Sequence, residues 1–223
     1  MPTIDKIIRT KRKSIALVIK PDGRVIIRAP ESATKREINA LVKKHTDWII
    51  KKQAEVLESQ EKFAPHQFVE GEEFYFLGET YRLKFTRSRK YLIRIREESL
   101  QVSRSARWYM EEAIEDWYKR EARYVFNERV SYYAEKYDFS YRKLKLSSAK
   151  RRWGSCSSNG NINLTWRLVM MPLEIIDYVV VHELCHLREQ NHSKAFWGQV
   201  EKILPDYKER RKWLKENGRQ FLW

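Results

Sequence analysis

The chain has 223 residues and carries 45 Lys and Arg against 30 Asp and Glu, a formal net charge of +15. Its length is enough for a sizeable core in one or two domains, and no run approaches the roughly 20 apolar residues of a membrane span. Two cysteines, Cys156 and Cys185, and an N-terminus without a leader pattern exclude a secreted disulfide scaffold, so a soluble, cytoplasmic protein is expected.

Residues 14–29 read as a hairpin. Ile15, Leu17 and Ile19 alternate, Pro21-Asp22-Gly23 turns the chain, and Arg24 to Arg28 returns. Thr34 with Glu37 predicts a capping box. Ile38, Leu41, Val42, His45, Trp48 and Ile49 then form a helical stripe to about residue 58. His45 on that stripe reads as a core or interface histidine rather than a ligand. A β-rich stretch follows through Phe68-Val69, Phe74 to Leu77, Tyr81 to Phe85, Tyr91 to Arg96 and Leu100 to Val102, with turns at Gly71 and Gly78. His66 stands in this stretch without a companion ligand.

Near residue 105 the pattern changes. Residues 107–137 predict a long helix or two joined ones, and Lys143 to Ser148 and Arg151 to Cys156 read as strands. Ser158-Asn159-Gly160 is a hairpin turn, beyond which Ile162, Leu164, Trp166 and Leu168 alternate. Pro172 suits the first turn of a helix running to about Glu189. Its valine run Val179-Val180-Val181 has strand propensity, which burial overrides. Ser193 caps a short helix through Leu204, and Pro205 starts a last one ending near Gly218. The expected fold is α+β, with a β-rich domain over 1–104 that contains an inserted helix. A second domain over 105–223 has a small antiparallel sheet and the helix ending near Glu189.

That helix carries the chemistry. Three of the five histidines fall in HELCHLREQNH: His182, His186 and His192, with Glu183 after the first. Positions i and i+4 of a helix lie about 40° apart around the axis, so His182 and His186 face one point. Two imidazoles so placed hold a Zn²⁺, and Glu183 leans over its open side. A string HExxH followed within six residues by another His arises by chance in about one such chain in a thousand. A helix buried enough to carry Tyr178 to Val181 must also pair its imidazoles and carboxylate or give them to a metal.

Zinc held by neutral imidazoles lowers the pKa of bound water to about 7, and Glu183 is placed to take its proton. Arg151 and Arg152 are candidate stabilisers of the developing negative charge, although surface charge accounts for them equally well. Cys185 reads as a buried small hydrophobe, and Cys156 as packing in preference to the alternative that its strand edges the cleft and brings it to the metal. Ligand spacing 0, 4, 10 matches metzincins, but Glu189 stands where that motif needs Gly and no Met follows Met171, so that class is rejected. Glu201 is an alternative third ligand of the His₂Glu type. His192 is preferred because the turn before Ser193 redirects its ring.

With these residues the chain resembles the YgjP-like metallopeptidase-domain family, related to SprT-like zinc proteases. The matching pieces are TKRKSIALVIKPDGRVIIRAP, YFLGETYRLKF, RRWGSCSSNGNINLTWRLVMMP, IIDYVVVHELCHLREQNHSKAFW and LPDYKERRKWL. The resemblance implies a zincin-like second half, His182, His186 and His192 as zinc ligands, and Glu183 as catalytic acid/base. Another divalent transition metal suits the same imidazoles.

Three functions compete. The first is a zinc-dependent peptidase or related hydrolase. The second is a metal-dependent nucleoside triphosphate pyrophosphohydrolase acting on a nucleotide such as UTP, although the chain has neither a P-loop nor a carboxylate cluster for Mg²⁺. The third is a non-catalytic nucleic-acid-binding module with structural zinc, against which an open fourth position argues. The positive charge falls in short runs such as Lys11-Arg12-Lys13, Lys150-Arg151-Arg152 and Arg210-Arg211-Lys212. It fits nucleic acid, nucleotides or acidic proteins as partners, and equally a scattered solubilising surface.

Overall fold

The computed structural model describes residues 2–20, 22–62 and 66–222, and the chain divides into two units, Met1–Pro65 and His66–Trp223. In the first unit, strands β1 (Lys6–Thr10), β2 (Ala16–Ile19) and β3 (Val25–Pro30) form a sheet in the order β1-β3-β2. The expected hairpin is β2 and β3, antiparallel with Leu17 opposite Ile27. Gly23 takes φ +79° in its turn, while Pro21 lies outside the described residues. Strand β1 has no alternating pattern and is added parallel to β3. Polar groups hold it there: Asp5 accepts from Val25 N at 2.6 Å, and Arg9 donates to the carbonyls of Pro30, Glu31 and Ala33.

The single helical stripe expected after Thr34 is two helices, α1 (Lys35–Lys44) and α2 (Thr46–Lys62). The capping box is present, with Thr34 Oγ1 accepting from Glu37 N at 3.2 Å and Glu37 accepting from Thr34 N at 2.7 Å. His45 breaks the run as the C-cap of α1, with φ −109° and ψ 19°. It is exposed rather than a core residue, and Trp48 is half exposed. Ile27, Ile38, Val42 and Ile49 form this unit's own core.

The second unit begins with β4 (Glu73–Phe76), β5 (Glu79–Thr86), β6 (Ile93–Arg96) and β7 (Ser99–Ser103), ordered β4-β5-β7-β6. A 3₁₀ segment, Arg104–Tyr109, leads into the long helix α3 (Met110–Lys136). The β-rich stretch therefore does not close a domain at residue 104. Phe74, Leu83, Leu100 and Val102 of its sheet share one core with Ile114, Tyr118 and Trp166 beyond it, and the division falls at 65/66 instead. Burial of the sheet's apolar face against α3 outweighs the change in sequence pattern.

Strands β8 (Lys143–Ser147), β9 (Gly154–Cys156) and β10 (Asn161–Thr165) form a further sheet with β10 central. It is mixed rather than antiparallel: β10 pairs antiparallel with β9 through the predicted turn and parallel with β8. A 3₁₀ segment, Trp166–Met170, then delivers the chain to α4 (Leu173–Cys185). The β4–β5 turn grips that connection, with Leu77 N donating to Val169 O and Gly78 N to Met170 O. Gly78 has φ +86°, and a Cβ there would meet Pro172 at 2.9 Å. Helices α5 (Lys194–Ile203) and α6 (Tyr207–Asn217) complete the unit. The architecture is α+β, as the sequence implies.

Candidate metal centre

Helix α4 is a buried rod, with Ile175 to Val181 all enclosed. Asp177 is 7% exposed and fixes the rod to α3, since Arg129 of α3 donates to its two oxygens at 2.6 and 2.8 Å. The helix ends at Cys185, one turn earlier than the sequence predicts. His186 is the C-cap, and Leu187 N and Arg188 N close i→i+3 bonds to Leu184 O and Cys185 O. Tightening of the last turn in this way satisfies carbonyls that a longer helix would leave open. The i, i+4 relation survives, and the His182 and His186 ring centroids are 4.9 Å apart.

After Glu189 the chain turns sharply, with Ser193 N donating to Asn191 O at 2.7 Å. Ser193 then caps α5 by accepting from Phe196 N at 3.2 Å. This reversal returns His192 to the helix, with ring centroids 4.9 Å from His182 and 4.7 Å from His186. One nitrogen from each ring lies within 4.8 Å of the others. Nε2 of His182 and Nε2 of His192 are 3.0 Å apart, close to the edge of about 3.3 Å in a tetrahedron of zinc–imidazole bonds. His186 Nδ1 donates to the carbonyl of Glu189 at 3.0 Å, which leaves its Nε2 with the lone pair.

Phe196, fully buried, packs against all three imidazoles at 4.5–4.9 Å. Trp197 stacks on His192 at 5.6 Å. These aromatic walls restrict the rings to a narrow range of orientations. Burial, then the neighbouring His186 and His192, then Arg211, push the His182 pKa down to about 3. His192 is lowered by burial, His186 and Arg211. Neutral imidazoles are the form that binds a divalent transition metal.

Glu183, next to His182 on the helix, is 5% exposed. Burial raises its carboxyl to about 7, and the Arg152 charge opposes that rise. Among the described residues its Oε2, like Nδ1 of His182, has no hydrogen-bond partner. A buried carboxyl oxygen left unpaired costs about 1–3 kcal/mol, so the fold holds an unsatisfied acceptor beside the three imidazoles. Opposite it runs β9, whose Gly154 lies so near that a Cβ would stand 2.6 Å from Glu183 Oε1.

The expected residues do not all meet. Arg151 and Arg152 are both exposed, and Arg152 is the one whose charge acts on Glu183. Glu201 is exposed, ion-paired to Lys208 at 3.2 Å, and outside the histidine group. Cys156 faces the Glu183 charge, and Cys185 is fully buried. Neither joins the group among the described residues. Sequence reasoning missed Arg211 of α6, which stacks over Trp197 at 4.7 Å. It also missed Gly154 as the space for Glu183. Neither leaves a local signal, since one sits in a basic run and the other in a strand.

The donor set, the free Nε2 of His186 and the unpaired Glu183 oxygen fit a bound divalent metal. Comparison with curated proteins finds no match. Among solved structures, the chain is similar to the crystal structure of the metallopeptidase zymogen of Pyrococcus abyssi abylysin, at 22% identity and a TM-score of 0.38, over 42% of this chain and 95% of that one. The family model described as YgjP-like, metallopeptidase domain matches residues 13–217, and the chain thus belongs to this family of metal-dependent, peptidase-like proteins.

Proposed function

We propose that the chain is a zinc-dependent peptidase in which His182, His186 and His192 hold the ion and Glu183 is the general base. The observation that carries this reading is the convergence of three imidazole nitrogens within 4.8 Å beside a buried, unpaired carboxyl oxygen. When bound, the ion supplies Lewis acidity and makes water a nucleophile near neutral pH.

The chain's own residues supply the rest. A carboxyl raised to about 7 accepts a proton at Oε2 and gives it up again at nearly the same pH, as general acid–base work requires. Phe196 and Trp197 exclude water from one side of the imidazoles and hold them in register. Arg152 and Arg211 supply positive charge where negative charge develops. Strand β9 ends its sheet and so offers an unpaired edge beside Glu183. That arrangement takes an extended peptide by strand addition, and the missing side chain at Gly154 leaves the Glu183 carboxyl room beside that strand.

The test is hydrolysis of a casein-type substrate and of a nucleotide panel, each with and without chelator, by the native chain and Glu183→Gln. The expected result is chelator-sensitive proteolysis that falls more than about 10²-fold in the variant, with metal content unchanged. Full activity in Glu183→Gln, or nucleotide hydrolysis without peptide cleavage, overturns the assignment.

A further inference from the structure

The connection between β5 and β6 and the start of the 3₁₀ segment Arg104–Tyr109 line an open hollow of about 640 Å³. Four cations, Arg87, Arg89, Lys90 and Arg104, line it together with hydroxyl groups, and among the described residues no carboxylate does. Among the described residues none of these four cations has an ion-pair or hydrogen-bond partner for its side chain. Four like charges around one hollow repel one another, and that repulsion is relieved only by an anion or by salt. The backbone beneath is well fixed. Ser103 is buried and donates to Ser88 O at 2.8 Å, and Tyr91 is held under the Arg94 guanidinium at 3.8 Å while donating to Gln101.

Arg104 also lines a second, larger groove of about 1000 Å³, which holds Arg107, Trp108 and Tyr109. Trp108 is 94% exposed and Tyr109 46%. An indole that the fold leaves almost wholly in water is uncommon and marks a contact surface. The acidic members of this groove, Glu70, Glu111 and Glu112, are absent from the first hollow. The surface therefore sorts into a purely cationic hollow and an aromatic groove that share Arg104. No residue of the histidine cluster belongs to either.

We propose that this surface binds single-stranded nucleic acid, with backbone phosphates in the Arg87–Arg89–Lys90–Arg104 hollow and a base stacked on Trp108. A single strand presents unpaired base faces beside its charges, whereas duplex bases are buried in their own stack. A free phosphate or an anionic lipid surface would use the hollow and leave the indole without a role.

Fluorescence anisotropy of a short labelled oligothymidylate, titrated with the whole chain, tests this. Arg87→Ala/Arg89→Ala/Lys90→Ala should weaken binding and lower the slope of log affinity against log salt by about 2, at about 0.7 per phosphate contact. Trp108→Ala should weaken binding about tenfold and Trp108→Phe much less, since stacking survives in Phe. Arg120→Ala/Arg123→Ala, which removes two cations of α3 outside the hollow, should change little. Affinity unmoved by the triple variant or by Trp108→Ala overturns the proposal. So does equal or tighter binding of heparin, inorganic phosphate, a mononucleotide or phosphatidylserine vesicles. These readouts use no hydrolysis, so they stand or fall separately from the peptidase assignment.

Discussion

Gly154 and Glu183 occupy space that only one side chain can have. The β9 backbone passes the glutamate so closely that a Cβ at 154 would lie 2.6 Å from Oε1 and 2.7 Å from Cγ. Both are well inside van der Waals contact. Gly154→Ala must therefore move the carboxyl or push β9 off β10. The expected outcome is a loss of hydrolysis comparable to that of Glu183→Gln, with zinc content unchanged because none of the three imidazoles is touched. Activity and metal analysis on the same preparation check it, and a fully active Gly154→Ala would mean that the carboxyl position is immaterial.

His192 is the exposed member of the trio, whereas His182 and His186 are partly enclosed. His192→Ala should then leave the metal-free fold nearly as stable as the native chain while weakening zinc. A ligand bound at a hundred times its Kd raises stability by about 2.7 kcal/mol. Thermal unfolding with and without zinc should show that increment in the native chain and a much smaller one in the variant. An undiminished zinc-induced shift would remove His192 from the ligand set.

Burial and the Glu183 charge push the Cys156 thiol up to about 11, and burial pushes Cys185 up to about 12. A raised thiol pKa keeps the neutral, unreactive form through neutral pH, and thiolate appears only as pH climbs toward the raised value. Alkylation by iodoacetamide in the metal-free native chain should be slow at pH 7 and accelerate steeply above about pH 10. Cys156→Ser should keep its zinc. Rapid labelling at neutral pH, or zinc lost with the thiol, would make Cys156 a metal-site residue.

The parts of the site written in local spacing are legible in the amino-acid order by itself. His182 and His186 one helical turn apart, the Ser193 cap and the turn that returns His192 all depend on residues within about a dozen positions of one another. The Ser158-Asn159-Gly160 turn between β9 and β10 is equally local. What escapes is set by partners far away in sequence. Strand β1 exists because Asp5 and Arg9 find the backbone of β3 and of the residues just beyond it. The β8–β10 pairing is parallel, which no turn signal encodes. The unit boundary lies at 65/66 because the β4–β7 sheet buries its face on α3. Arg211, brought in by α6, stacks on Trp197 and sets its charge against His182 and His192.

The same dependence on distant partners gives the Arg129–Asp177 pair its importance, since it ties the motif helix to α3 across 48 positions. Both side chains are largely enclosed, at 18% and 10% exposure. Removing one partner leaves the other charge enclosed without compensation, at a cost of about 3 kcal/mol. Asp177→Asn should accordingly lower Tm by several degrees, at about 2–4 °C per kcal/mol for a chain of this size. Arg129→Met/Asp177→Leu should recover much of the loss, because a packed apolar pair avoids desolvating two charges. A double-mutant cycle on Arg129→Ala and Asp177→Ala measures the coupling, and additive effects would show that the pair does not act as a unit. Zinc affinity serves as the second readout. A helix held only by packing should keep it in Asp177→Asn, whereas one whose position rests on this ion pair should lose part of it as the His182–His186 face shifts against His192.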